Sequence, residues 1–103
     1  MNKNYLRGRI TEYKIMKVLE GQGFTCFRTA GSHGAADIIA VGHGEVRFIQ
    51  AKRQKKKSSL RGYDKDIEKL KALTNGTKLK VKQEMWIWLD RKGFKKWRIG
   101  TNE

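Results

Sequence analysis

The sequence predicts an α/β domain in which helices cover both faces of a β-sheet. Two segments with helical periodicity alternate with short segments rich in β-branched and aromatic residues, which indicate strands. Within residues 84–90, Met85 and Ile87 face one side while Trp86 and Trp88 face the other. A strand that is apolar on both sides is typical of the middle of a sheet with helices on each face. We therefore expect residues 1–103 to form one domain.

The predicted elements follow one another without a linker. Helices are expected over residues 9–20 and 63–73, ended by the glycine-containing segment 21–23 and by Gly76 respectively. Glycine-containing links at residues 42–44 and 91–93 favour two hairpins. Strands are expected over residues 24–29, 37–41, 45–51, 84–90 and 94–99.

The charge balance points to a polyanionic partner. The chain has 24 Lys and Arg against 10 Asp and Glu, a net charge of +14. So large an excess of one sign costs self-repulsion, and nucleic acid is its usual counterpart, with an anionic membrane surface second. No apolar run approaches the roughly 20 residues of a spanning helix, and no signal-peptide pattern opens the chain. We expect an intracellular, cytoplasmic protein without a membrane partner.

The cysteine and histidine content argues against zinc and against covalent catalysis. Cys26 is the single cysteine, so no intramolecular disulfide forms, and His33 and His43 stand isolated. Ser32 precedes His33 in a glycine-rich loop, but such a pair lacks the third group that activates a nucleophilic serine. A phosphate contact by Ser32 is the better interpretation.

Polar residues of the first hairpin fall at positions where they can meet. If residues 43–44 form a two-residue loop, counting outward places Asp37 directly opposite Gln50. Directly opposed side chains have Cβ atoms roughly 5 Å apart. Because strand side chains alternate, Lys52 shares a face with Gln50. A carboxylate, an amide oxygen and an ammonium group would then converge.

Glu12 lies on the inward stripe of the first predicted helix, three and four residues before Ile15 and Met16. An unpaired carboxylate would be costly there. Two interpretations stay open: Glu12 bonds Arg9 or caps the first turn, or it faces a metal ion or a lysine.

This set of residues suits metal-dependent phosphodiester hydrolysis. Such chemistry needs a metal ion that polarises the phosphate and lowers the pKa of a water, and a cation that offsets the developing charge. Asp37 would be the principal ligand, with the Gln50 amide, the Ala51 carbonyl and Glu12 as further oxygen donors. Oxygen ligands suit Mg²⁺ or Mn²⁺. Lys52 would orient or deprotonate the water.

The motifs resemble those of the PD-(D/E)XK nuclease superfamily. The run GAADIIAV contains Asp37, twelve residues separate Asp37 from the triplet Gln50, Ala51 and Lys52, and a helix bearing Glu12 precedes them. The resemblance implies the restriction-endonuclease-like fold, a central mixed β-sheet flanked by helices with an αβββαβ core.

Within that superfamily the chain is most similar to archaeal-type Holliday junction resolvases, some of them viral. The resemblance implies that Asp37 is the metal aspartate, Lys52 the catalytic lysine and Glu12 the helix glutamate. It further implies that Ser32 contacts the scissile region and that a homodimer cuts four-way DNA junctions symmetrically.

Two positions depart from the family pattern. Ala36 replaces the proline of the superfamily name, and Gln50 stands where resolvases usually have Glu or Asp. Mrr-type restriction nucleases resemble this chain in having glutamine there and are still catalysts. The alternatives are therefore another DNA nuclease of the Mrr or virus-type repair branch, or a decayed nuclease scaffold that only binds DNA.

Basic and polar residues around the predicted site are expected to hold the DNA. A charged block follows Lys52 without apolar periodicity, as in solvated arms that grip a phosphate backbone. Trp97 has a better chance of exposure than Trp86 and Trp88, which we assign to the core. The expected DNA contacts are Arg9, Arg28, Ser32, His33, Arg53, Lys55, Lys56 and Lys57.

Overall fold

A computed structural model describes residues 3–29, 35–55, 59–73 and 81–102, with side chains described from residue 8 to residue 99 of these ranges. Its helices are α1 (Lys3–Gly21) and α2 (Asp64–Ala72). None of the helices in these ranges is both long and apolar enough to cross a bilayer. The strands are β1 (Thr25–Arg28), β2 (Ile38–Gly42), β3 (Glu45–Gln54), β4 (Val81–Leu89) and β5 (Gly93–Asn102).

The five strands form one mixed sheet in the order β1-β2-β3-β4-β5. β3 and β4 are parallel, and the other neighbouring pairs are antiparallel. A parallel pair needs a crossover connection, and α2 lies in the segment between β3 and β4. The predicted mixed sheet with an αβββαβ core is confirmed, with β5 added at its edge.

Helix α1 ends where glycine was expected to end it. Gly23 has φ +98°, a left-handed conformation that favours glycine. The N–H of Phe24 donates to the carbonyl of Leu19 at 3.0 Å, and the N–H of Gly23 donates to the carbonyl of Glu20 at 3.1 Å. This bond pair is a Schellman cap, which satisfies two carbonyls of the last turn. The predicted start at residue 9 is wrong, because the helix-favouring lysine, leucine and arginine before Gly8 extend α1 back to Lys3.

Each face of the sheet carries a core of its own. Under α1, Ile15 and Leu19 pack with Ile38, Ile49 and Trp86. Under α2, the core contains Leu70, Met85 and Ile87, with Tyr63 and Ile67 packed against it. The prediction that β4 is apolar on both sides because helices cover both is confirmed. The expected cap Gly76 lies outside the described residues.

The tryptophans only partly follow their predicted places. Trp86 is 1% exposed, as expected for the core. Trp88 is half-buried and lines a surface groove, so its assignment to the core is wrong. Trp97 is also half-buried and packs against the cluster under α2, so neither strand presents a fully exposed indole. Trp88 lies near the end of β4, where α1 no longer covers the sheet completely.

The first hairpin turns as its sequence predicts. His43 and Gly44 have φ of 53° and 74°, the pair of left-handed residues that defines a type I′ turn. Gly42 pairs with Glu45, and the register continues to the Ile38–Ile49 pair. His43 donates from Nε2 to the carbonyl of Gln22 at 2.7 Å, so it joins the hairpin to the end of α1.

Four charged side chains form an ion cluster on the α1 side of the sheet, at the hairpin end. Arg47 Nε lies 2.7 Å from Glu45 Oε2 and Arg47 Nη1 lies 3.7 Å from Glu84 Oε2, while Lys82 Nζ lies 3.2 Å from Glu45 Oε1. Glu45 and Glu84 are buried. Burial would raise the pKa of Glu45, but hydrogen bonds and charge from Arg47 and Lys82 outweigh it and lower that pKa.

We expect Glu45→Gln to lower the free energy of unfolding at neutral pH by about 2 kcal/mol, because the half-buried cations Arg47 and Lys82 lose the charge of the buried carboxylate that both contact. A carboxylate with a lowered folded-state pKa stabilises the protein above its unfolded-state pKa. The difference between the variant and the wild type should therefore shrink as the pH falls below about 4.3, the ordinary glutamate value. Urea titrations at neutral and acidic pH measure both. The control Glu68→Gln removes an exposed carboxylate and should change stability by less than about 0.5 kcal/mol; an equal loss in both variants would contradict the prediction.

Candidate active site

Asp37 lies where the first hairpin leaves its regular ladder. The ladder ends at Ile38 and Ile49, one pair short of the predicted pairing of Asp37 with Gln50. The N–H of Asp37 donates to the carbonyl of Ile49 at 2.8 Å, and its carboxylate Oδ2 accepts the N–H of Ala51 at 3.0 Å. The carboxylate is thereby fixed against β3, beside the backbone that carries Gln50 and Ala51.

Thr29, directly after β1, fixes the backbone carbonyls of Ala36 and Asp37. The N–H of Thr29 donates to the carbonyl of Asp37 at 3.0 Å, and the hydroxyl of Thr29 donates to the carbonyl of Ala36 at 2.9 Å. These bonds join the two ends of the segment that contains residues 30–36. Thr29 was not singled out from the sequence, although a threonine at a strand end is a common partner for nearby carbonyls.

The environment of Asp37 raises the pKa of its carboxyl group. Burial is the largest cause, since it disfavours the charged form. The hydrogen bond from Ala51 and the charge of Lys52 act in the opposite direction, whereas the carboxylates of Glu12 and Asp66 raise the pKa further. Three elements, α1, β3 and α2, thus act electrostatically on one carboxyl group, as is common in catalytic sites.

Gln50 and Lys52 share a face of β3, as predicted. In the ladder they lie opposite Met85 and Ile87, which both belong to the core under α2. Gln50 is 7% exposed, so its side chain is buried, one residue beyond the Ile38–Ile49 pair at the start of β2. The side chain of Lys52 is half-buried and extends toward α2.

Two residues of the α2 region that the sequence did not reveal hold Lys52. The ammonium nitrogen of Lys52 lies 3.5 Å from Asp66 Oδ2 and 5.4 Å from the ring centroid of Tyr63. Gln54 donates from Nε2 to the Tyr63 hydroxyl at 3.2 Å, which fixes that ring. Asp66 lies 14 residues after Lys52 on another element, and no local spacing in the sequence signals that they meet.

Glu12 is paired with Arg28 rather than with Arg9. Its Oε1 accepts a hydrogen bond from Nε of Arg28 at 2.6 Å, an ion pair between α1 and β1. A cap on the first turn is excluded, because α1 begins nine residues earlier. Glu12 still lies close enough to raise the pKa of Asp37. The interpretation that Glu12 faces the predicted site therefore agrees with its position, with Arg28 as its partner.

Tyr13 is a further residue at this site that the sequence interpretation missed. Its ring is about half exposed and lies between two guanidinium groups, with Arg9 at 5.8 Å and Arg28 at 5.4 Å from its centroid. A hydrogen bond to Arg9, then the charges of both arginines, lower the pKa of the Tyr13 hydroxyl. The contact between Arg9 and Tyr13 could have been predicted from the sequence, since residues four apart on a helix are neighbours.

Apart from Arg9 and Arg28, which lie beside the Tyr13 ring, the predicted DNA contacts divide into three groups. Ser32, His33, Lys56 and Lys57 lie outside the described residues. Lys55 is exposed, as a phosphate contact requires. Arg53 instead makes a two-pronged pair with Asp90, at 2.9 Å from Nε and 2.7 Å from Nη2. Its guanidinium group therefore fixes the end of β3 to the turn after β4, a role the sequence did not indicate.

The oxygen donors at this end of the sheet suit a hard divalent cation. Within the described ranges, no three Asp, Glu, His or Cys side chains are grouped closely enough to hold an ion. The donors present are one anchored carboxylate of Asp37, the Gln50 amide and the Ala51 carbonyl. This set contains the oxygen types that Mg²⁺ accepts, with water completing its shell. It carries less negative charge than a site with two carboxylates.

Comparison with known proteins places this arrangement in a family. The sequence profile of the archaeal Holliday junction resolvase family, Hjc, matches residues 3–99, nearly the whole chain. The chain belongs to the archaeal Holliday junction resolvase family. The family predicted from Asp37, the triplet at residues 50–52 and Glu12 is thereby confirmed.

Two relatives of this resolvase-family chain illustrate the match. It is 37% identical over 70 residues to the crossover junction endodeoxyribonuclease Hjc of Methanocaldococcus jannaschii, an overlap of 68% of this chain and 51% of that protein. The chain therefore spans about half the length of that relative. Its fold is similar to that of the Holliday junction resolvase Hjc of Archaeoglobus fulgidus, with a TM-score of 0.69 and 21% identity, over 90% of this chain and 73% of that one.

Proposed function

We propose that this chain is an endodeoxyribonuclease that hydrolyses phosphodiester bonds at four-way DNA junctions. The observation that carries the proposal is the Asp37 carboxylate, fixed by the Ala51 N–H beside Gln50 and within electrostatic reach of Lys52. Family membership and the net charge of +14 support a branched-DNA substrate. The relative from Methanocaldococcus jannaschii bears the name of a crossover junction endodeoxyribonuclease.

The side chains divide the work by their chemistry. Asp37 supplies the fixed negative charge that organises the reacting phosphate, and Gln50 adds a neutral oxygen. Lys52 supplies a positive charge for the phosphorane-like transition state, where charge accumulates on the phosphate oxygens. Asp66 and Tyr63 hold the Lys52 ammonium group in place before DNA arrives.

A divalent cation, Mg²⁺ or Mn²⁺, is proposed as the cofactor. Asp37, the Gln50 amide and the Ala51 carbonyl would hold it, with Glu12 joining directly or through water. When bound, such an ion polarises the phosphate and lowers the pKa of a water molecule. Each of the named donors is an oxygen, so Mg²⁺ or Mn²⁺ is favoured over zinc.

The test is cleavage of labelled DNA of different shapes at fixed salt. We expect the wild-type protein with Mg²⁺ to cut a synthetic four-way junction in two strands, and to cut flap, nicked and linear duplexes of the same sequence poorly. Equal cutting of all substrates would indicate a general nuclease of the Mrr or repair type. Tight, salt-sensitive binding without cleavage in either Mg²⁺ or Mn²⁺ would show a binding module and overturn the proposal.

A homodimer is part of the proposal, because symmetric cuts in two strands require two sites. We assign its interface to an apolar sheet face on the α2 side of β1, β2 and β3. Phe27 is 55% and Val41 44% exposed there, and no charged residue stands at the register positions between them. Helix α2 packs on β3, β4 and β5. The apolar sheet face comprises Phe27, Ile39, Val41, Val46 and Phe48.

The register positions of this face are uncharged, so contact between two copies here places no lysine or arginine directly against another. Large exposed apolar patches also mark protein contacts more often than chance. DNA is a poor occupant, since the face offers no cation for phosphate.

We expect Val41→Lys to convert a dimer into a monomer, because the interface would then bury an unpaired ammonium group. Sedimentation equilibrium measures the mass directly. The control Val18→Lys makes the same change at a comparably exposed valine on α1 and should leave the dimer intact. A wild-type monomer, or a Val41→Lys dimer, would contradict this interface.

A further inference from the structure

A groove with an aromatic floor opens on the α1 side of the sheet, the face opposite the one that carries Gln50 and Lys52. It encloses about 500 Å³ between α1 and the β4–β5 hairpin. We call it the aromatic groove, and its lining consists of Lys14, Lys17, Val18, Trp88, Gly93 and Phe94. A smaller hollow of about 150 Å³ adjoins it and shares Lys14 and Trp88 with it.

The floor of the groove is a rigid aromatic pair. The rings of Trp88 and Phe94 meet edge to face at 5.0 Å between centroids, and Trp86 contacts Phe94 from the core side at 5.4 Å. Trp88 itself is half-buried, so one part of its indole is held by packing while another part faces the groove. A fixed, partly exposed indole is the feature on which nucleobases stack in proteins that bind single strands.

Positive charge lies directly on this floor. The Lys14 ammonium nitrogen is 3.7 Å from the centroid of the Trp88 ring, and Lys17 lies at the rim one helical turn further. An ammonium group on an exposed ring is a weak contact that a base can replace. Lys14 would then be released to meet the phosphate of the same nucleotide, so stacking and charge pairing form together.

The groove also lies close to the proposed site of cleavage. Trp88 is the ladder partner of Arg53, the residue directly after Lys52, and neighbouring strands are roughly 4.8 Å apart. Lys52 extends from one face of β3, and the groove begins on the other face at the same end of the sheet. A DNA strand that passes the end of the sheet would reach both.

We propose that the aromatic groove binds an unpaired nucleotide of branched DNA, with its base on Trp88 and its phosphate on Lys14 and Lys17. This inference rests on the proposed function only in taking DNA as the partner. A second copy of the chain is disfavoured as the occupant, because the lysines that line the groove would repel it.

Binding measured without cleavage tests the inference separately from nuclease activity. We expect Trp88→Leu to weaken binding of a fluorescent oligothymidine by about tenfold at fixed salt, the loss of one stacked base. Binding of a perfect duplex of equal length should change less than twofold. Trp97→Leu, the same change at a half-buried tryptophan on the α2 side, should alter neither.

Photocrosslinking with 5-iododeoxyuridine in the same single strand gives an independent readout from the wild-type protein. We expect the crosslink at Trp88, identified by tandem mass spectrometry of the peptide that contains it. Equal losses for single strand and duplex in Trp88→Leu, or a crosslink that avoids both Trp88 and Phe94, would overturn the inference. If the wild-type protein bound the single strand in this way but did not cleave a four-way junction, that result would contradict the proposed function alone.

Discussion

Asp37→Asn is expected to reduce cleavage of a four-way junction by at least about 10²- to 10³-fold, the scale on which removal of one fixed electrostatic group slows an enzyme. The asparagine Oδ1 can still accept the Ala51 N–H that Asp37 accepts at 3.0 Å, so the local backbone should stay in place. What disappears is the negative charge. Single-turnover cleavage of a labelled junction in Mg²⁺ measures the effect.

The same substitution should make the protein more stable. The pKa of Asp37 is raised in the folded state, mainly by burial, so folding disfavours its ionised form. A raised carboxyl pKa means that ionisation lowers stability at neutral pH, and this cost is removed by an uncharged isostere. A higher urea midpoint together with lost cleavage would exclude unfolding as the cause. Cleavage at the wild-type rate would contradict the role of Asp37, and junction affinity should stay nearly unchanged.

Lys52→Met is expected to reduce cleavage by a similar factor, about 10²- to 10³-fold. Methionine keeps an unbranched apolar side chain beside Tyr63 but removes the ammonium group. The positive charge that lowers the pKa of Asp37 is lost as well, so the residual activity should decline at a higher pH than in the wild type when the solution is acidified. A pH profile of single-turnover rates measures both changes.

Stability and binding provide the controls for Lys52→Met. The ion pair with Asp66 is about 30% exposed, and pairs of this kind contribute roughly 0–1 kcal/mol, so the urea midpoint should change little. Lys69→Met removes the same charge from an exposed position on α2 and should cut the junction at the wild-type rate. If both variants lost activity equally, net charge rather than Lys52 would be responsible.

The fold was predictable where local patterns and chain geometry agree. The glycines at residues 42 and 44 and the alternation of β2 and β3 defined the hairpin, since a type I′ turn fixes the register of the strands that follow. The double-sided apolar pattern of β4 located it between two helices. Trp88 was misassigned, because periodicity reports which face a residue occupies and not where a helix stops covering that face.

The candidate site was predictable only in part. Asp37, Gln50 and Lys52 lie within one hairpin, where a count of residues locates them. Asp66, which holds Lys52, and Arg28, which holds Glu12, come from other elements. Their contacts depend on how α1 and α2 pack across the sheet, and no spacing in the chain encodes that directly.

By itself, then, the sequence determined the order of the elements, the hairpin register up to Ile38 and Ile49, the family and the acidic, amide and ammonium groups of the site. These follow from alternation and turn geometry, which act over a few residues. Only the tertiary structure decided the partners of Glu12 and Lys52, the raised pKa of Asp37 and the groove beside Trp88. Burial and long-range charge set these properties, and both arise only when separate elements pack together.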